Sequence, residues 1–194
     1  MANVIKLRKG LDINLKGKAN FETIRRIDSS EIALVPDSFG GVMPKVIVRE
    51  GDCVKAGEAL FVDKKYPEMK FASPVSGIVK AVVRGDRRKV LYVKVKADET
   101  QQFVDFGIKD IAKLDGKAIK EALLASGLFS FIQQLPYAVT TTSDTMPKAI
   151  FVSAFRDMPL ASDFEVELEG NEKDFQTGLT ALSKIQKTYL GLSV

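Results

Sequence analysis

Val42-Met43-Pro44-Lys45-Val46-Ile47-Val48-Arg49-Glu50-Gly51-Asp52 and Ser73-Pro74-Val75-Ser76-Gly77-Ile78-Val79-Lys80-Ala81-Val82-Val83-Arg84-Gly85-Asp86 are two passes of one pattern. Shifting the chain by 34 positions lays Gly51-Asp52 on Gly85-Asp86 and Val48 on Val82. Each copy is a run of β-branched residues entering a Gly-Asp turn, where glycine supplies positive φ and the carboxylate bonds the turn backbone. Neither copy can bury its apolar face alone, so the two are expected to pair into a flattened barrel of short strands over residues 42–97. The closing strand, Val90 to Lys96, alternates Leu91, Val93 and Val95 with Tyr92, Lys94 and Lys96, which predicts that the first three face the core.

This pattern resembles the barrel-sandwich hybrid fold of biotinyl and lipoyl carrier domains. The first turn, Val48 to Glu58, and the return Ser73-Pro74-Val75-Ser76-Gly77 carry the likeness. In such carriers the modified lysine stands at a hairpin tip seven residues before the serine; here that position is Tyr66, with Lys64 and Lys65 beside it and Pro67 reshaping the tip. Two readings stand, a carrier arm on Lys64 or Lys65 and an unmodified barrel used as a structural or docking module.

Outside the barrel the period changes. From about residue 98 the chain reads as α/β. Asp115 to Gly127 is a helix with an N-cap aspartate and a C-terminal glycine, and Ala149 to Phe155 is a buried strand. A helix follows, capped by Asn171, with Phe175, Leu179, Leu182 and Ile185 on one face and Lys184 on the solvated side. Lys187 to Val194 is a last strand, parallel to the first across this helix. The expected fold is thus α+β/α/β: a barrel-sandwich hybrid module inserted into or preceding a Rossmann-like α/β domain. Residues 1–41 are expected to pack with the α/β part, residues 98–194 to form it, and its C-terminus to be truncated.

Composition narrows the chemistry. The 194 residues are 45% hydrophobic and 28% charged, with 29 Lys plus Arg against 25 Asp plus Glu. The charges are interspersed, which argues against nucleic-acid binding. There is no histidine, which removes the usual metal ligand and near-neutral acid–base group, and the single Cys53 cannot build a disulfide or a thiolate-held cluster. No window approaches the roughly 20 apolar residues of a membrane span, and the N-terminus lacks a signal-peptide core. Gly40-Gly41 reads as a turn, without phosphate-loop spacing. Arg84, Arg87, Arg88 and Lys89 surround the second Gly-Asp turn, either as a solvated tip or as a dock for an acidic partner. After the first helix comes Leu128-Phe129-Ser130-Phe131-Ile132-Gln133-Gln134-Leu135-Pro136-Tyr137, read as core beneath a loop or as the wall of a flat apolar ligand.

Taken end to end, the chain resembles the N-terminal part of the NqrA family, whose members are subunits of the sodium-translocating NADH:quinone reductase. The residues concerned are Ile5 to Asp12, Pro44 to Gly51, Leu60-Phe61-Val62-Asp63-Lys64-Lys65, Phe71 to Gly77, Ser126-Gly127-Leu128-Phe129 and Ala149 to Ala154. The resemblance implies a peripheral subunit on the cytoplasmic face of a bacterial inner membrane, with other subunits of the reductase as partners. NADH, FAD, FMN and iron–sulfur centres would sit on those subunits and none on this chain. Its role would be assembly and quinone contact, with Phe129, Phe131 and Tyr137 as the quinone walls and no catalytic residue or metal of its own. More distant relatives, the NADH-binding subunit of complex I and the Rnf complex C subunit, bind flavin through a glycine-rich loop at this point. Here side chains at 128–134 occupy it, and the alternatives are a flavin-binding Rnf-like subunit or a biotinyl or lipoyl carrier domain.

Overall fold

The computed structural model describes residues 4–6, 16, 29–107, 110–155, 158 and 161–192. What was expected of most of the first 28 residues lies outside these. Seven short strands form the barrel: β1 (Glu31–Leu34), β2 (Pro44–Val46), β3 (Cys53–Val54), β4 (Ala59–Asp63), β5 (Lys70–Ala72), β6 (Gly77–Arg84) and β7 (Val90–Ala97). They make two antiparallel sheets, ordered β1-β7-β6-β3 and β2-β4-β5. The sheets share one core, with Val79, Val93 and Val95 from the first and Leu60, Phe61 and Phe71 from the second, all essentially inaccessible. Phe61 stacks on Phe71 at 4.7 Å between centroids, and Phe39 meets Phe71 edge-on at the same distance. Such side chains contribute about 1.5–3 kcal/mol each on burial, which is what holds strands this short together.

Two sequence expectations are corrected here. Val90, Val93 and Val95 are the buried residues of β7, and Leu91 is exposed. The pairing steps from Val83 opposite Tyr92 to Arg84 opposite Val90, so Leu91 is the extra residue of a bulge that shifts the alternation by one. Of the segment before residue 42, expected to pack with the α/β part, residues 31–34 instead supply the barrel's edge strand, with Ile32 opposite Val95 and Leu34 opposite Val93. Beyond β7, residues 102–104 also stay with the barrel, since Ala56 N donates to Gln102 O and Val104 N to Ala56 O, both at 2.9 Å.

The remaining chain carries α1 (Gly116–Ser126), the two-residue strands β8 (Gln133–Gln134) and β9 (Val139–Thr140), β10 (Ile150–Ser153), α2 (Phe164–Leu168), α3 (Glu172–Ile185) and β11 (Thr188–Gly191). The ends of α1 are as the sequence predicts: the Asp115 side chain accepts from Ala118 N at 2.8 Å, and Gly127 sits at φ 78°. β10 and β11 pair in parallel, Ile150 with Thr188 and Ser153 with Gly191, with α3 between them in the chain. Phe175, Leu179, Leu182 and Ile185 form the half-buried stripe of α3, and Phe164 of α2 meets Phe175 edge-on at 5.4 Å.

Asn171 precedes α3, but its side chain caps nothing in the helix; its amide lies 3.5 Å from Glu169 O. Lys184 is not on a solvated side. Its ammonium donates to the carbonyls of Ile111, Ala112 and Leu114, closing a turn of the chain that no local pattern links to α3. Hydrogen bonds from a charged donor contribute about 1.5–3 kcal/mol, so Lys184→Met should cost about 2–3 kcal/mol as three carbonyls lose one shared donor. The urea midpoint of the variant measures this, and an unchanged midpoint would remove the anchoring role.

Candidate functional site

The two parts meet where the β4–β5 hairpin lies against the chain after α1. Asp63, the last residue of β4, is 7% exposed and turns its carboxylate back onto the backbone. Its Oδ1 accepts from Lys65 N at 2.6 Å and Tyr66 N at 3.2 Å, and its Oδ2 from Met43 N at 3.0 Å. An aspartate that bonds the amides two and three residues on is a local turn device, so the tip's shape follows from this residue. Lys64 N adds a bond to Met43 O at 2.9 Å.

The tip is then tied to the α/β part. Tyr66 Oη donates to Asp144 Oδ2 at 3.0 Å, and Ser143 Oγ donates to Glu68. Hydrogen bonds from the Thr142 and Tyr66 hydroxyls hold the Asp144 carboxyl below the usual range, with a smaller pull from Lys65. Lys65 Nζ stands 5.1 Å above the Tyr66 ring, a cation–π contact, while both Lys64 and Lys65 remain exposed. The lysines beside the carrier position are therefore accessible, but the backbone that bears them is seated at several points.

Beneath the tip lies a cleft of ≈ 150 Å³, walled by Val42, Met43, Tyr66 and Met69 on the barrel side and by Thr140 and Thr141 on the other. Both threonines are more than nine-tenths buried. Mostly apolar walls with a few polar side chains among them suit a small ring with polar substituents. No cluster of metal-ligating side chains occurs among the described residues.

The three aromatic residues picked out by sequence are not brought together. Phe129 is 6% exposed and belongs to the barrel core, with Lys120 Nζ 5.5 Å from its ring. It gets there because α1 ends against β5: a Cβ on Gly127 would lie 3.0 Å from Ala72 Cβ, so the next turn is pressed onto the sheet. Phe131 and Tyr137 are 69% and 75% exposed, and Phe131 meets Phe39 edge-on at 5.7 Å. Residues 128–131 form a single 3-10 turn in which Ser130 Oγ donates to Gly127 O at 2.6 Å. Asp63, Asp144 and the two threonines have no role that the sequence alone assigns. Asp63 leaves a local signal, an aspartate followed by two lysines and a Tyr-Pro pair; the others leave none.

Fold and junction define a class: a barrel-sandwich hybrid module joined through its hairpin tip to an α/β domain. Residues 5–98 match the NqrA N-terminal barrel-sandwich hybrid domain, and residues 114–194 match the NqrA second alpha/beta domain. The chain belongs to the NqrA family. It is 35% identical over 191 residues to the NqrA subunit of the Na(+)-translocating NADH-quinone reductase of Histophilus somni strain 2336, covering 97% of this chain and 43% of that protein. The same subunit of Actinobacillus pleuropneumoniae serotype 5b is 35% identical over 184 residues, and that of Yersinia pestis bv. Antiqua 35% over 185, each covering 94% of this chain and 41% of the relative. The chain therefore spans less than half the length of the relatives it matches. Among the described residues no helix is long and apolar enough to cross a membrane.

Proposed function

We propose that the chain is part of a peripheral subunit of a sodium-translocating NADH:quinone reductase, on the cytoplasmic face of the membrane, where it serves assembly and quinone contact. The observation that carries this reading is the match to both NqrA domains in order along one chain, at 35% identity to subunits of that reductase. The other subunits are its partners and bear the flavins, iron–sulfur centres and NADH site. Support for a chain without redox chemistry of its own comes from the absence of histidine, the single cysteine, and the side chains that fill the 128–131 turn. Of the aromatic residues, Phe131 and Tyr137 are free to line a quinone, whereas Phe129 is committed to the core.

Calorimetric titration of the full-length subunit with a short-chain quinone tests the contact. Each aromatic contact is worth about 0.5–1.5 kcal/mol, so Phe131→Ala and Tyr137→Ala should each weaken binding about three- to tenfold. Phe129→Ala should instead lower the melting temperature. Unchanged affinity in both surface variants would remove the loop as the contact, and micromolar FMN binding would replace this reading with a flavin-binding one.

A further inference from the structure

We propose that the tip of the β6–β7 hairpin, through Arg84, Arg87 and Arg88, is a docking prong for an acidic protein surface on another member of the same assembly. The inference rests on the functional reading above. Gly85 N donates to Lys89 O at 2.8 Å and Lys89 N to Asp86 O at 3.1 Å, closing a tight turn. Within it Arg87 sits at φ 53° and Arg88 at φ 61°, the left-handed region that disfavours any residue with a Cβ and normally takes glycine or asparagine. The glycine of the motif does not carry this burden, since Gly85 has φ −98° and instead makes room for Leu91, whose Cδ2 would lie 3.2 Å from an added Cβ.

The other copy of the repeat provides an internal comparison. Its turn places Gly51 at φ 92° and lets Asp52 accept from Arg49 N at 2.7 Å. The first copy thus meets its left-handed position with glycine, whereas in the second the equivalent Gly85 is not left-handed and the left-handed positions fall two and three residues on, at Arg87 and Arg88, where the first copy has already entered β3. Nothing in the fold uses them: among the described residues neither guanidinium makes a hydrogen bond or ion pair. Arg84 Nη1 only reaches Arg88 O at 3.3 Å, and Lys89 is taken by Asp37 at 2.6 Å. Strain kept at exposed, unpaired charges points to an external partner. Guanidinium forks match carboxylates in two-point contacts. Asp86 stands in the middle of the tip, and residues 84–89 include no large apolar side chain to insert into lipid, so a carboxylate-bearing protein face fits better than a bilayer.

The test combines the full-length subunit with the remaining subunits of the reductase and follows their association by sedimentation at roughly 50 and 300 mM salt. Wild type should bind more weakly at the higher salt. Arg87→Gly with Arg88→Gly, which relieves the backbone, should melt no lower than wild type yet bind about tenfold or more weakly, with a flattened salt dependence. Arg84→Glu, Arg87→Glu and Arg88→Glu together should not assemble. Equal affinity of wild type and the glycine pair would overturn the prong alone. Failure of the wild type to associate at either salt concentration would overturn the functional reading with it. Vesicles of phosphatidylcholine with anionic phosphatidylglycerol form the last arm: retention of wild type but not the glycine pair, with assembly unaffected, would assign the tip to lipid and overturn the protein partner.

Discussion

Replacing Gly77 with alanine is expected to leave the barrel unfolded. A Cβ at that position would lie 1.9 Å from Lys96 O, 2.8 Å from Lys96 C and 3.1 Å from Ala97 Cα. All three atoms are backbone, so no rotamer relieves the overlap. Gly77 is also paired on both sides, with Ala97 of β7 and Val54 of β3, so the sheet cannot open at an edge to accommodate it. Relief requires β6 to slip against β7, and a slip of one residue would turn Val79 of β6 from the core to solvent. The loss should exceed about 5 kcal/mol, which is as large as the whole stability of many small domains. Far-ultraviolet circular dichroism and a thermal melt would show it. Gly51→Ala is the control: Gly51 has φ 92° with nothing within 4 Å of an added Cβ, so the loss should be only about 1–2 kcal/mol. A cooperative melt for Gly77→Ala near that of wild type would mean that the close approach to Lys96 is not needed.

The contrast between these two glycines shows what sequence can convey. Both belong to quoted motifs, yet only the Gly51 turn can be derived from neighbours, because its requirement is local. The tightness at Gly77 depends on a strand about twenty residues on. The same division runs through the chain. Asp115 and Gly127 cap α1 through bonds within a few residues, and the stripe from Phe175 to Ile185 has its own period, so both are legible. The bulge at Leu91 depends on what β6 does opposite it, and local pattern makes residues 31–34 a strand without naming its partner, which is β7. Helical spacing alone puts Lys184 in solvent, because its acceptors, Ile111, Ala112 and Leu114, lie some seventy residues earlier. At the candidate site, Phe131 and Tyr137 are named from the aromatic run 128–137 and the family resemblance. That Phe129 faces inward follows only from α1 ending on β5.

Asp63→Ala should be the most damaging single change at the junction, and it should act by releasing the hairpin. Three backbone N–H groups, those of Met43, Lys65 and Tyr66, have their acceptor in this one carboxylate. Bonds to a charged acceptor contribute about 1.5–3 kcal/mol, and three part-buried donors would lose it at once, so about 3–5 kcal/mol is expected. Asparagine separates the contributions: its carbonyl can still serve Lys65 and Tyr66, but its amide would face the Met43 N–H as donor against donor, and about half the loss should remain. Tyr66→Phe removes the exposed hydroxyl's contacts to Asp144 and Lys65 and should cost less than about 1 kcal/mol. Hydrogen exchange at the amides of Met43, Lys65 and Tyr66, read beside the thermal melt, distinguishes local release from global unfolding. Loss of protection there at temperatures where the Val79, Val93 and Val95 amides stay protected would show the tip swinging free of the α/β part, taking Lys64 and Lys65 with it. A carrier arm works from a mobile tip, and a docking module from a seated one. If Asp63→Ala melts with wild type and its three amides stay protected, the carboxylate does not seat the hairpin, and the tie through Tyr66 and Glu68 would have to hold it alone.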